Sequence, residues 1–236
     1  MRNELLLVLS VLVIFSLTVL SAKLFGERGL VAWTCIATLL ANIEVLLLVR
    51  AFGMEQTLGN VIFASTFLAT DILSELYGKK AAARAVYIGV FASAAFLIIS
   101  QSWLLYTVSE NDWAGGSIAA IFSNQPRLVG ASLAVYAVSQ RLDVWLYHKW
   151  WSFTERRFGD SRRGLWLRNN GSTLVSQLVN ATLFNAAAFA GAEGYSSGML
   201  VQIIIATYVI YVVTSLADTP FIYLARKICK PDASAL

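Results

Sequence analysis

Long apolar stretches recur along the whole chain and are separated by short polar segments rich in Lys and Arg. An α-helix needs roughly 20 residues to cross a bilayer about 30 Å thick, and the apolar stretches approach or exceed that length. They are Glu4–Phe25, Leu30–Arg50, Thr57–Tyr77, Ala81–Val108, Arg127–His148, Thr173–Ala190 and Met199–Ile228. The pattern predicts an all-α, polytopic membrane bundle of about seven transmembrane helices.

The composition agrees with a protein that is surrounded by lipid. Hydrophobic residues make up 58% of the chain and charged residues only 14%, whereas about 25% of residues are charged in a soluble domain. The length of 236 residues fits one integral membrane domain over 1–236. The first apolar stretch is too long for the core of a typical signal peptide. Because only Gly26–Gly29 follow it, a tight hairpin to the second stretch is predicted.

The basic residues predict the orientation of the chain. If the loops alternate between the two sides, fourteen of the 18 Lys and Arg residues fall on one side. They are Lys23, Arg28, Lys79, Lys80, Arg84, Lys149, Arg156, Arg157, Arg162, Arg163, Arg168, Arg226, Lys227 and Lys230. The chain is expected in the inner (cytoplasmic) membrane. The positive-inside rule then places its C-terminus in the cytoplasm and its N-terminus outside. The net charge of +4 therefore reflects topology and does not indicate binding to nucleic acid.

Motifs for catalysis are missing from the sequence. His148 is the single histidine, and the two cysteines, Cys35 and Cys229, lie far apart in the chain, so no zinc-ligand pattern is present. Neither a phosphate-binding Gly-x-x-x-x-Gly-Lys-Ser/Thr loop nor a Gly-x-Ser-x-Gly nucleophile turn occurs. The sequence predicts that the protein is not an enzyme and uses no cofactor or metal.

Two acidic residues interrupt the third apolar stretch. Asp71 and Glu75 are four residues apart and therefore lie on one helix face. A carboxylate near the bilayer centre costs about 2.5–3.5 kcal/mol. Asp71 is predicted about 10 Å from the cytosolic end of this helix. Arg141 is expected either to snorkel or to pair with an acid such as Asp71. Glu75 is predicted near the interface, where Lys79 at i+4 would pair with it.

Amides and further carboxylates occur on the following helices. Gln140 and Asp143 share a face of the fifth stretch, as do Gln177 and Asn180 in the sixth. One hydrogen bond between membrane helices contributes only about 0.6 kcal/mol on average, which does not explain a whole row of amides. Amide and carboxylate groups together offer donors and acceptors to a flat heterocycle such as a purine. An anionic ligand fits less well because the helices carry few cations.

Several linked segments carry a resemblance to a known family. The segments are FLATDILSELYGKKAAAR at 67–84, PRLVGASLAVYAVSQRLDVWLYHK at 126–149 and LWLRNNGSTLVSQLVNATLF at 165–184, together with Ala-Asn-Ile at 41–43 and Asp-Thr-Pro at 218–220. With them the chain resembles the queuosine precursor transporter family, also called the VUT family. One position departs from the family pattern: the chain has Asn180 where an Asp usually follows Ser-Gln-x-x.

The resemblance implies a fold and a substrate. The fold is a six-helix core similar to the substrate-binding subunits of energy-coupling-factor transporters, with an additional N-terminal helix. The function is import of 7-deazaguanine precursors of the tRNA nucleoside queuosine, such as 7-cyano-7-deazaguanine and 7-aminomethyl-7-deazaguanine. The partners expected are this small-molecule base and the lipid bilayer, without direct contact to nucleic acid.

The predicted substrate site consists of the intramembrane polar residues. Its members are Asp71, Gln140, Asp143, Gln177 and Asn180, followed by Glu75, Asn170 and Asp218 as further candidates. Coupling is left open between a proton carried by Asp71 or Glu44 and simple facilitation, and a homo-oligomer is also left open. Two alternative functions remain. One is a capture subunit for a purine-like or vitamin-like solute that works with a separate ATPase module, and the other is a membrane scaffold or sensor that transports nothing.

Overall fold

The computed structural model describes residues 2–123, 125–160, 163–189 and 196–229, and helices dominate it. Two of the basic residues counted above, Arg162 and Lys230, lie outside the described residues. The elements in chain order are α1 (Arg2–Glu44), β1 (Leu48–Ala51), β2 (Met54–Thr57), α2 (Gly59–Trp103), α3 (Gly115–Phe122), α4 (Gln125–Phe158), α5 (Leu165–Phe189) and α6 (Ser197–Ile228).

Helix α1 turns back on itself at Gly26. The backbone of Gly26 has φ 61°, a left-handed conformation that glycine adopts without steric penalty. The side-chain amide of Asn3 donates a hydrogen bond of 3.0 Å to the carbonyl oxygen of Arg50. A straight helix of 43 residues would separate its ends by roughly 65 Å, so the two arms of α1 must run antiparallel. The hairpin predicted between the first two apolar stretches is confirmed.

Helix α2 also turns back, at Gly78, which has φ 81°. Phe63 packs against the ring of Tyr136 at a centroid distance of 6.0 Å, and Gly89 contacts the same tyrosine. Phe63 and Gly89 would lie roughly 39 Å apart in a straight helix. The first arm of α2 therefore runs down the bundle, and the second arm returns beside it.

The turns and the basic loops lie at one end of the bundle. Arg84, just after the Gly78 turn, pairs with Glu27, just after the Gly26 turn, at 3.5 Å. Arg168 at the start of α5 and Arg226 near the end of α6 both reach Glu75, one turn before Gly78. We call this the basic end. The opposite end carries the start of α1 and the β1–β2 hairpin and is called the hairpin end.

Several predicted boundaries were wrong: α2 ends at Trp103 instead of Val108, and α5 begins at Leu165 instead of Thr173. Two further differences change the architecture. The second apolar stretch leaves the helical conformation after Glu44, because β1 and β2 pair as an antiparallel hairpin. Its turn residues, Phe52 and Gly53, have φ of 53° and 74°, as in the type I′ turns that suit two-residue hairpins. Helix α4 continues to Phe158 and takes in half of the segment predicted as a cytosolic loop.

The bundle is apolar outside and partly polar inside, the reverse of a soluble protein. Large apolar side chains such as Phe91 and Ile98 are more than 70% exposed. The first arm of α2 is central and is buried almost throughout between Val61 and Leu76. Among the described residues, α1, α2 and α6 have the length and hydropathy needed to cross a membrane.

Candidate functional site

A column of buried polar side chains runs along the bundle axis between α2, α4, α5 and α6. All eight predicted site residues belong to it, and the most exposed of them, Glu75, is only 6% exposed. On α2 the column extends from Asn60 to Glu75, which corresponds to about 22 Å of helix. This distance covers most of the roughly 30 Å hydrocarbon thickness of a bilayer. We describe the polar column from the hairpin end to the basic end.

A cavity opens into the polar column at the hairpin end. Its volume of about 40 Å³ gives room for roughly three water molecules. Its walls combine aromatic rings with amide and hydroxyl groups, from Asn60, Phe63, Ser132, Asn180, Phe184 and Tyr211 among others. Aromatic faces and amides together suit a flat ligand with a polar edge.

Asn180 forms the polar floor of this cavity. Its carbonyl oxygen accepts a hydrogen bond from Ser139 at 3.3 Å, and its amide donates to the Tyr211 hydroxyl at 3.3 Å. Tyr211 in turn donates to the side-chain oxygen of Asn60 at 3.3 Å. These bonds are long, so they leave room for a ligand to replace them at low cost.

Gln140 occupies the next layer. Its amide donates to Thr66 at 2.7 Å, and its carbonyl oxygen accepts from Thr70 at 3.0 Å. Both threonines lie on the first arm of α2. Both the nitrogen and the oxygen of the Gln140 amide are therefore held in place, which fixes the orientation of this amide toward the cavity at the hairpin end.

The third layer brings together two carboxyl groups from different helices. They belong to Asp71 on α2 and Asp143 on α4, which bind hydroxyl groups about one turn apart on α5. One oxygen of Asp71 accepts from Thr173 at 3.1 Å, and one oxygen of Asp143 accepts from Ser176 at 2.7 Å. The remaining oxygens, Oδ1 of Asp71 and Oδ2 of Asp143, have no donor in the part of the chain that the structure describes.

Residues of α5 and α6 complete the lower part of the column. Asn169 donates to Asp218 at 2.8 Å, and Asn170 donates to Thr219 at 2.8 Å. These bonds join the two helices. Higher on α5, between Ser176 and Asn180, Gln177 is 1% exposed, and its side-chain oxygen has no donor among the described residues. Gln177 therefore keeps an unused acceptor, as Asp71 and Asp143 do.

Glu75 closes the polar column at the basic end. Arg168 binds it with two parallel hydrogen bonds, of 2.9 Å from Nε and 2.7 Å from Nη2. Tyr147 donates to it at 2.8 Å, and Arg226 approaches to 3.3 Å. The predicted pairing with Lys79 was wrong, because the backbone leaves the helical conformation at Gly78 and breaks the i,i+4 relation.

Arg168 is the most important residue that the sequence reasoning missed. It was counted as a loop cation, yet it is 0% exposed and lies in the first turn of α5. Its guanidinium stacks on Trp151 at 4.4 Å, as arginine does on aromatic faces. The spacing was a usable signal, because Arg168, Ser172 and Ser176 recur every four residues on one helix face.

Arg141 does not pair with Asp71, so that alternative of the prediction was wrong. It is exposed and lies over the ring of Tyr87 at 5.9 Å. Gln140 and Asp143 point into the bundle, so the intervening Arg141 must point outward at the helical period of 3.6 residues.

An apolar bundle of membrane length that encloses a polar column and a cavity has the features of a helical membrane transporter. Comparison with known proteins agrees with this class. Residues 57–225 match a family described as "Putative vitamin uptake transporter". The chain is 38% identical over 218 residues, 92% of each protein, to a "Probable queuosine precursor transporter" of Bacillus subtilis (strain 168).

A second relative is the "Queuosine precursor transporter" of Escherichia coli (strain K12). It is 31% identical over 150 residues, which cover 63% of this chain and 62% of the relative. No solved structure matches. The chain therefore belongs to the queuosine precursor transporter family, and the resemblance carried by its motifs is confirmed. The expectation of a transporter rather than an enzyme is confirmed by the names of these relatives.

Proposed function

We propose that this protein imports 7-deazaguanine precursors of queuosine, 7-cyano-7-deazaguanine and 7-aminomethyl-7-deazaguanine, across the inner (cytoplasmic) membrane. The names of the two relatives support this substrate class. The observation that carries the proposal is the polar column, which begins in a cavity with aromatic walls and an amide floor. A deazaguanine is flat and has donors and acceptors along its edge, so it matches both kinds of wall.

The proposed topology has seven crossings, with the N-terminus outside and the C-terminus in the cytoplasm. The crossings are the two arms of α1, the two arms of α2, and α4, α5 and α6. The basic end faces the cytoplasm by the positive-inside rule. Residues 57–225 comprise five of these crossings. A six-helix core similar to the energy-coupling-factor substrate-binding subunits would therefore add the second arm of α1.

In this orientation the cavity opens to the outside, and Glu75 with its arginines closes the cytoplasmic end. The base would stack against Phe63 and Tyr211 and would exchange hydrogen bonds with Asn180. A bicyclic base needs more room than about 40 Å³, so aromatic side chains must move to admit it. Deeper in the column, Gln140, Gln177 and the Asp71–Asp143 pair would receive the polar edge, with Asn170 and Asp218 below them.

Binding to the purified protein tests the substrate directly. Titration calorimetry with the two precursors should give saturable binding, and guanine should bind more weakly because it lacks the 7-substituent. Substitution of Gln177→Ala should weaken binding by about 1 kcal/mol, or roughly fivefold, through one lost hydrogen bond. Gln101→Ala is a matched control, because Gln101 bonds to the Phe122 carbonyl away from the column. Absence of saturable binding of both precursors would contradict the proposal.

Uptake by the protein alone separates transport from solute capture. Liposomes that contain only this chain should take up labelled 7-cyano-7-deazaguanine without ATP. Uptake that requires an added ATPase module would favour a capture subunit. Saturable binding with no uptake under either condition would favour a sensor.

A further inference from the structure

We propose that the carboxyl groups of Asp71 and Asp143 share one proton and form the site at which proton movement drives import of the base. The inference rests on the proposed function and adds the energy source. Its starting point is geometric. Two fully buried carboxyl groups from different helices bind hydroxyl groups three residues apart on α5, and one oxygen of each has no donor in the described parts of the chain.

The hydroxyl donors fix how the pair is arranged. Thr173 and Ser176, both on α5, each donate to one oxygen of the pair. One oxygen of each neighbouring carboxyl group, Oδ1 of Asp71 and Oδ2 of Asp143, is left without a donor among the described residues. Two neighbouring acceptors repel unless a hydrogen lies between them. One shared proton satisfies both, as in other carboxyl dyads.

The surrounding charges do not neutralise the pair. The titratable groups nearest to it are Tyr147 from α4 and Asp218 from α6. Glu75 from α2, Arg168 from α5 and Arg226 from α6 lie about one turn further toward the basic end, bound to one another. Both arginines bind Glu75, and Asp218 adds negative charge to the surroundings. Among the described residues, neither Asp71 nor Asp143 forms an ion pair with Lys or Arg. The pair therefore needs a positive charge from solution.

The contacts favour a proton over a metal cation. A hard metal cation takes about six oxygen ligands, whereas a proton needs only the two oxygens that lack a donor. The other two oxygens already receive hydrogens from Thr173 and Ser176, and these hydrogens would repel a cation. A proton also explains coupling. Its loss leaves two adjoining negative charges, one on α2 and one on α4, and their repulsion favours separation of these helices.

The test uses full-length protein in liposomes and labelled 7-cyano-7-deazaguanine. With an outside-acidic gradient and the membrane potential clamped at zero, one proton per base should allow about tenfold accumulation for each pH unit. A protonophore should abolish accumulation, and replacement of sodium by choline should leave it unchanged. Accumulation that follows sodium instead, or that ignores the pH gradient, would overturn the inference.

Variants distinguish this inference from the proposed function. Asp71→Asn and Asp143→Asn each remove a carboxyl group that binds the proton, so the pH gradient should no longer raise the ratio of inside to outside base, at whatever rate of exchange the variant retains. Glu44→Gln is the matched control, because Glu44 is a half-buried acid outside the column, and it should accumulate base like the wild type. If both aspartate variants accumulate base as the wild type does, the pair is not the coupling site.

Exchange by the wild-type protein distinguishes a failure of the proton inference from a failure of the proposed function. If wild-type protein exchanges base but never accumulates it under a pH gradient, the proton inference fails and the proposed function stands. If wild-type protein exchanges neither precursor, the proposed function itself fails. The wild-type measurements decide the question even if an aspartate variant does not fold.

Discussion

Asp71 and Glu75 lie one helical turn apart on the same face of α2, yet their surroundings differ in almost every respect. Glu75 accepts two hydrogen bonds from Arg168 and one from Tyr147, and Arg226 lies close to it. Asp71 accepts one bond from Thr173 and lies near another carboxyl group. The fixed cations at Glu75 link α2 to α5 and α6, and they keep the basic end closed in this conformation. Asp71, which has no cation beside it among the described residues, keeps the capacity to bind a proton or a ligand.

The largest effect expected from this comparison is on stability. Glu75→Gln removes the counter-charge of the buried Arg168, and breaking a buried ion pair from one side costs about 3–5 kcal/mol. Asp71→Asn removes a charge that lacks a fixed partner, so we expect its stability to stay within about 1 kcal/mol of wild type. Thermal unfolding in detergent should show a large drop in Tm for the first variant and a small change for the second. Equal drops would remove the distinction between the two acids.

Arg168→Lys tests whether the closure depends on guanidinium geometry. Lysine keeps the charge but loses the two parallel bonds to Glu75 and the planar stacking on Trp151. We expect a loss of about 2–3 kcal/mol, because hydrogen bonds to charged groups contribute about 1.5–3 kcal/mol each. Arg156→Lys is the control, since Arg156 is exposed at the same end of the bundle. A Tm equal to that of the control would show that charge alone holds the closure.

The contrast between the two acids was only partly predictable from the sequence. The inward positions of Asp71 on α2 and of Gln140 and Asp143 on α4 follow from the spacing of residues within each helix, which is local information. The bond between Glu75 and Arg168 joins residues 93 positions apart, so it depends on how α2 and α5 pack. The turn at Gly78 also decides the outcome, because it directs Lys79 away from Glu75.

The structure at the hairpin end was also hard to predict from the sequence. The run Leu48–Ala51 is apolar enough to extend a predicted membrane helix, but it pairs with Met54–Thr57 as a strand. The turn at Phe52 and Gly53 has no Asn-Gly or Asp-Gly signal of the kind that marks such hairpins in sequences. The cavity was unpredictable for the same reason, since Asn60, Asn180 and Tyr211 come from three helices.

Tyr147→Phe is expected to have a moderate effect at the closure. It removes one hydrogen bond to Glu75 and leaves both arginines in place, so stability should fall by about 1.5 kcal/mol. Tyr87→Phe is a matched control, because Tyr87 is exposed and contacts Arg141 through its ring face. Thermal unfolding in detergent compares the two variants. If Tyr87→Phe loses as much stability as Tyr147→Phe, the loss does not come from the hydrogen bond to Glu75.

Thr173→Val tests the surroundings of Asp71 without altering its carboxyl group. Valine keeps the shape of the side chain but removes the donor to Asp71, which should slow uptake of base by about fivefold, or roughly 1 kcal/mol. Stability should also fall by about 1 kcal/mol, because the buried carboxyl group of Asp71 loses a hydrogen-bond donor, so uptake is compared at equal amounts of folded protein. Thr182→Val on the same helix is the control, because Thr182 is exposed and bonds only to its own helix. Unchanged uptake in Thr173→Val would argue against a role for this donor.

Counterflow in liposomes that contain wild-type protein and no ATP tests directly whether the protein transports the base. Vesicles preloaded with unlabelled 7-cyano-7-deazaguanine should take up the labelled base much faster than protein-free vesicles. Glu44→Gln should match the wild type. Entry of label at the protein-free rate, with protein that is folded and correctly inserted, would contradict the claim that the polar column carries a 7-deazaguanine across the membrane.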